Sequence, residues 1–159
     1  DNATIDVTKI GRIGKMFLSN ETEAIGILHG YNATHVVVFT TFHTDDQGNP
    51  VDVGWGDEGK WRWMARIAGL NESDYGSIDE EGSWQWNAIG EETVIYKLMT
   101  YGKEITIGER PPQTEEEYFL SNGNGEPFFE EAYFSQTAGS PKTYGGAIPL
   151  VCVYKINYS

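Results

Sequence analysis

The sequence GWGDEGKWRWMARI occupies residues 54–67 and predicts the helix around which the rest of the chain can be interpreted. Asp57 is suited to cap the amino end of this helix, and Gly69 is suited to end it. Four residues at helical spacing share one face of the predicted helix: Asp57, Lys60, Met64 and Ile67. Without its neighbours, this face is also typical of a structural helix, with Met64 in the core and the stem of Lys60 lying over apolar surface.

The composition indicates one globular domain covering residues 1–159. Aromatic residues make up 13% of the chain and charged residues 22%, which is typical of a folded protein with a real core. The net charge of -13 argues against nucleic acid and anionic lipid surfaces as partners, because both require basic patches. The one cysteine, Cys152, lies in an apolar run and is expected to be a small buried hydrophobe.

The order of patterns along the chain predicts an α+β fold. Apolar spacing predicts a helix over residues 8–18, with Thr8 as a possible cap, and a second helix that starts at the cap Asn20 and stops at Gly30. The run HVVVFTTF predicts a buried strand over residues 35–42. A turn follows at 44–50, residues 70–90 read as irregular, and a helix is predicted over 91–101. After Gly102, short aromatic and β-branched runs separated by Gly and Pro predict strands and hairpins. The fold class is therefore a helical core in the first two thirds with one short buried strand, followed by strands and hairpins.

Most motif matches in the chain favour ordinary structural roles. Gly54-x-Gly56-x-x-Gly59 matches a dinucleotide fingerprint, but Asp57 and Glu58 would repel the phosphate at that helix start. The histidines lack the spacing of a metal site, so no metal ligand is predicted in this chain. Five Asn-x-Ser/Thr sequons fit a protein whose own surface is glycosylated: Asn2, Asn20, Asn32, Asn71 and Asn157.

The helix and its flanks together resemble one family. Asp57-x-x-Lys60-x-x-x-Met64 resembles the DK motif of archaeal and eukaryotic oligosaccharyltransferase catalytic subunits, and WMARIA at 63–68 resembles its continuation. The upstream segment KIGRIGKMFLSNETEAIGILHGYNATHVVVFT and the downstream segments VIYKLMTYG, FFEEAYFS and LVCVYKI follow the family in order. The resemblance covers essentially the whole chain and is to the C-terminal globular domain of the short archaeal forms. The family's WWDYG sequence, which reads the sequon hydroxyl, is absent from these 159 residues.

The resemblance implies a domain excised from a membrane glycosyltransferase and displayed on the extracellular face of the cell membrane. The whole enzyme would transfer a lipid-linked oligosaccharide from a dolichol-phosphate-type carrier to Asn in an acceptor polypeptide carrying Asn-x-Ser/Thr. A divalent cation, Mg²⁺ or Mn²⁺, would be bound by the membrane domain that this chain lacks, and the isolated domain would be inactive. No catalytic residue is therefore expected in this chain.

The resemblance also gives the predicted helix a role in recognising the acceptor sequon. Met64 and Ile67 would lie at the pocket for the Ser or Thr side chain, where a thioether packs well on a methyl group. Asp57 and Lys60 would orient the tryptophan-rich loop or hydrogen-bond the peptide. The alternative is a non-enzymatic extracytoplasmic module, either purely structural or one that binds carbohydrate through stacking residues: Trp84, Trp86, Tyr118 and Tyr133.

Overall fold

The computed structural model of the protein describes residues 2–39, 41–44, 50–54, 58–101, 114–135 and 151–159. The helices are α1 (Asn2–Phe17), α2 (Glu21–Gly30), α3 (Glu58–Ala68), α4 (Ala88–Glu91), α5 (Val94–Thr100) and α6 (Glu115–Tyr118), with a 3₁₀ turn at Glu72–Asp74. The strands are β1 (His35–Phe39), β2 (Thr41–Thr44), β3 (Pro50–Gly54), β4 (Gly76–Ile78), β5 (Trp84–Trp86), β6 (Phe129–Phe134) and β7 (Val151–Ile156). All strand pairs are antiparallel, and helices dominate the first part of the chain, so the predicted α+β class is confirmed.

The chain divides into two units, one formed by Asp1–Asn32 with Gly59–Lys97 and the other by Ala33–Glu58 with Leu98–Ser159. The organisation of the chain as one domain over residues 1–159 stays a prediction. No helix in the described ranges has the length and apolar character needed to cross a bilayer.

The first unit is built on the helical hairpin of α1 and α2. The predicted cap is confirmed, because the Asn20 side chain accepts a hydrogen bond from the backbone N–H of Glu23 at 3.0 Å, and α2 ends at Gly30 as expected. The predicted start of α1 is wrong: the helix begins at Asn2, so Thr8 lies inside it rather than at its cap. The expected apolar face of α1 is also only partly buried. Met16 is in the core, whereas Ile10 and Ile13 are exposed.

A buried ion pair ties α2 to α5 within this unit. Lys97 Nζ lies 2.9 Å from Glu21 Oε2, and the Glu21 side chain is only 1% exposed. Next to it, the backbone N–H of Val94 donates to the carbonyl of Ser19, which anchors the start of α5 to the turn between α1 and α2. A carboxylate buried this deeply requires its cation, so this contact makes the packing of α2 and α5 specific.

Residues 70–90 are ordered rather than irregular, which corrects the prediction for this segment. Strands β4 and β5 pair from Gly76 to Trp86 and form a short hairpin. Asp79 organises the turn by accepting hydrogen bonds from the backbone N–H groups of Glu81 and Ser83 and from Gln85 Nε2. These bonds, of which the one from Ser83 is the largest cause, lower the pKa of Asp79 below its ordinary value of 3.8.

The second unit contains a three-stranded sheet in the order β1–β7–β6. Strand β1 alternates exposed and buried residues, so it is half buried and not the fully buried strand that its continuous apolar sequence indicated. Val36 and Val38 point to the core, where Cys152 and Tyr154 of β7 are completely buried. The predicted burial of Cys152 is thus confirmed. The Tyr154 hydroxyl donates to the carbonyl of Leu98 at 2.6 Å, which satisfies its polar atom.

The second unit also contains a hairpin that sequence reasoning missed. The residues predicted as one strand at 35–42 belong to β1 and β2, and β2 pairs with β3, from Thr41 opposite Gly54 to Thr44 opposite Pro50. Of the turn predicted at 44–50, residues 45–49 lie outside the described residues, whereas Thr44 and Pro50 belong to β2 and β3. The first of the runs after Gly102, KEITIG at 103–108, also lies outside them.

Candidate functional site

Helix α3 presents the predicted recognition residues on one side. Lys60 and Ile67 are exposed and Met64 is half buried, and their spacing places all three within about 60° of one another around the helix axis. Asp57 lies outside the described residues, so its predicted roles as cap and as site residue stay predictions. The helix ends as expected, because Gly69 adopts φ +70°, which glycine accommodates without a steric penalty.

The adjacent side of α3 is fixed in the core by Trp61 and Ala65, which are 1% and 0% exposed. The Trp61 ring lies 4.9 Å from the ring of Trp84 and 4.8 Å from that of Trp86, measured between centroids, and Tyr75 approaches it edge-on. Large aromatic rings in mutual contact leave few alternative packings. The cluster therefore fixes the rotation of α3 about its axis, with Lys60 and Ile67 exposed and Met64 half buried.

Two glycines of α1 allow the backbones of α1 and α3 to approach closely. A Cβ atom added to Gly14 would lie 2.8 Å from the carbonyl oxygen of Met64 and 3.3 Å from its Cα, and one added to Gly11 would lie 3.3 Å from the carbonyl oxygen of Ile67. The backbone of α1 therefore runs directly against that of α3 at two of the predicted site residues. Sequence reasoning missed this contact, although the spacing of Gly11 and Gly14 on one helix face was a signal for it.

A third side of α3 carries two arginines held by one carboxylate. Arg66 Nε lies 2.9 Å from Glu72 Oε1, and Arg62 Nε lies 3.8 Å from Glu72 Oε2. The Arg62 guanidinium also stacks 5.3 Å from the centroid of the Trp84 ring. These contacts link α3 to the 3₁₀ turn and the β4–β5 hairpin. Sequence reasoning missed these ion pairs, because Glu72 lies outside α3 and is not three or four residues from either arginine, the spacing at which side chains of one helix pair.

The resulting surface is suited to binding rather than to bond chemistry. Met64 and Ile67 supply an apolar strip, and Lys60 adds a cation that can donate hydrogen bonds to carbonyl or carboxylate oxygens. Ile67 is 44% exposed, so this strip is accessible to a partner. Within the described ranges, no three His, Cys, Asp or Glu side chains are grouped closely enough to hold a metal ion.

The four aromatic residues considered for sugar stacking are placed very differently. Trp84 and Trp86 are half buried in the cluster around Trp61, and Tyr118 is half buried against Tyr101 and other rings. Tyr133 is 60% exposed. A stacking platform needs exposed ring faces, so of these four residues Tyr133 is the one that best meets this requirement.

No family model matches the chain.

Proposed function

We propose that this chain is the acceptor-recognition domain of an oligosaccharyltransferase that glycosylates Asn in Asn-x-Ser/Thr. The observation that carries the proposal is the exposed side of α3, where Met64 and Ile67 form an apolar strip next to Lys60. These are the positions at which the sequence resembles the DK motif. The domain would act at the extracellular face of the cell membrane and would position the polypeptide for a reaction that takes place elsewhere in the full-length enzyme.

The donor in this proposal is a lipid-linked oligosaccharide bound by the membrane domain. A divalent cation there, Mg²⁺ or Mn²⁺, would supply Lewis-acid stabilisation of the departing phosphate. The residues described here would contribute only recognition. Met64 contacts the Ser or Thr of the sequon, Ile67 extends the same apolar surface, and Lys60, with Asp57, binds the peptide backbone or orients the loop that reads the hydroxyl.

The test is a change in sequon preference in the full-length enzyme. Threonine differs from serine by one methyl group, and burying a methyl group contributes about 0.8 kcal/mol, which is roughly a fourfold preference at 25 °C. We expect Met64→Ala to reduce the ratio of kcat/KM for Thr over Ser acceptor peptides from roughly fourfold towards one. The ratio is measured with paired peptides that differ only at that position.

Trp63→Ala is the matched control, because Trp63 is the neighbouring residue, is 63% exposed and lies about 100° from Met64 around the axis of α3. It should leave the Thr-to-Ser ratio unchanged. Equal losses for both peptides in Met64→Ala, or no loss for either, would remove Met64 from the recognition role.

A further inference from the structure

The sequon at Asn71 is presented on the surface in a defined conformation. Asn71 is exposed, and its Oδ1 accepts a hydrogen bond at 3.3 Å from the backbone N–H of Ser73, the hydroxyl residue of the same sequon. Among the described residues, no partner accepts a hydrogen bond from Asn71 Nδ2. The Asn71 side chain is therefore held by its oxygen alone, while the residue as a whole is exposed.

An open groove of about 580 Å³ adjoins this side chain. Asn71 lines it together with Arg66, Ser77, Ile78 and Trp84. Polar groups beside an apolar ring and an exposed isoleucine match the mixed surface of a sugar, and the volume falls in the range of small-molecule sites. A sugar attached at Asn71 would therefore have room to lie along the protein surface.

Among the other sequons with described side chains, Asn20 and Asn32 are exposed like Asn71, whereas Asn157 differs. Asn157 is 8% exposed, and its Nδ2 donates to the carbonyl of Pro127 at 3.0 Å and to Glu130 Oε2 at 3.1 Å. The Asn71 amide is thus accessible, whereas the Asn157 amide is buried and donates both of its hydrogens within the protein.

We propose that Asn71 is a glycan attachment site of this protein. The Nδ2 atom forms a bond to C1 of the first sugar of a lipid-linked oligosaccharide, the bond from C1 to the lipid-phosphate oxygen breaks, and the lipid phosphate leaves with the electron pair. One amide proton passes to a base of the transferase that catalyses the step. The inference rests on the proposed function only in placing the chain where such donors are used.

The experiment is site-resolved mass spectrometry of the full-length protein purified from cells that make lipid-linked oligosaccharide. Trypsin releases residues 67–97 as one peptide, in which Asn71 is the single sequon. We expect most copies of this peptide to carry the glycan mass and the peptide with Asn157 to carry none. Ser73→Ala should abolish the modification, although it keeps the backbone N–H that donates to Asn71 Oδ1. Ser73→Thr should retain the modification.

A secreted reporter with its own Asn-x-Thr, expressed in the same cells, shows that the modification machinery is working. An unmodified Asn71 beside a glycosylated reporter overturns the inference, as does a modified Asn157. Transfer to acceptor peptides by the purified full-length protein is measured separately. A glycan on Asn71 in a protein without transferase activity would refute the proposed function and leave this site in place.

Discussion

Substituting Gly14 with alanine tests the contact that holds α1 against α3. A Cβ at this position would lie 2.8 Å from the Met64 carbonyl oxygen, which is about 0.6 Å closer than the 3.4 Å at which ordinary contact begins. The obstructing atom is backbone and not the end of a flexible side chain, so the helices must separate. Overpacking of this kind costs about 1–3 kcal/mol.

Gly26→Ala provides the reference for this cost. Gly26 lies in the middle of α2, and an added Cβ there meets nothing within 4 Å. It should therefore stabilise the protein by about 0.5–1 kcal/mol through helix propensity alone. Gly14→Ala gains a similar stabilisation from helix propensity. The difference in the free energy of unfolding between the two variants therefore measures the cost of the clash alone. Gly11→Ala, with its nearest contact at 3.3 Å, should fall close to Gly26→Ala.

The assay is thermal and urea unfolding of the chain, followed by circular dichroism. A difference of about 1–3 kcal/mol corresponds to melting temperatures for Gly14→Ala and Gly26→Ala that differ by roughly 2–12 °C. If Gly14→Ala is as stabilising as Gly26→Ala, α1 does not pack on the α3 backbone at Met64 and the reasoning is refuted. In the full-length enzyme, Gly14→Ala should also lower the Thr-to-Ser preference, because it displaces Met64.

Three further outcomes follow from individual contacts. Lys97→Met leaves the buried Glu21 carboxylate without its cation and should cost about 3–5 kcal/mol in urea unfolding, whereas Lys15→Met, which removes a pair that is about half exposed, should cost less than about 1 kcal/mol. The pKa of Asp79 is lower in the folded protein than its ordinary value of 3.8. The contribution of Asp79 to the free energy of unfolding is therefore complete above pH 3.8 and is lost as the pH falls through its pKa in the folded protein. Asp79→Asn should therefore flatten the acid limb of stability against pH, and an unchanged acid limb would exclude this role. Lys60→Ala should lower peptide transfer by the full-length enzyme with the melting temperature within a few degrees of wild type, and a collapse of the fold would mean that Lys60 is structural.

Local rules predicted the features that depend on neighbouring residues. The cap at Asn20, the stop at Gly69 and the helix between 58 and 68 follow from side chains within a few positions of each boundary. The shared face of Lys60, Met64 and Ile67 follows from helical periodicity alone. These features were therefore accessible from the sequence.

Features that depend on distant partners were not predicted. The β4–β5 hairpin has strands of three residues each, too short to show an alternating pattern, and it is stabilised by Trp61 packing on Trp84 and Trp86. The half-exposed β1 was misread because a continuous apolar run does not reveal how many faces of a strand are covered. The approach of Gly14 to Met64 joins segments 50 residues apart in sequence, and no local pattern encodes the distance between them.

The burial of Cys152 makes its reactivity a probe of opening in the second unit. As the single cysteine of the chain, with no exposed surface, it can react with a thiol reagent only when β7 opens. Reaction rate under native conditions thus measures sheet opening in one unit. In a Trp55→Phe variant every remaining tryptophan lies in the first unit, so tryptophan fluorescence then reports that unit. Agreement or disagreement between the two signals during unfolding distinguishes a single cooperative transition from two separate ones.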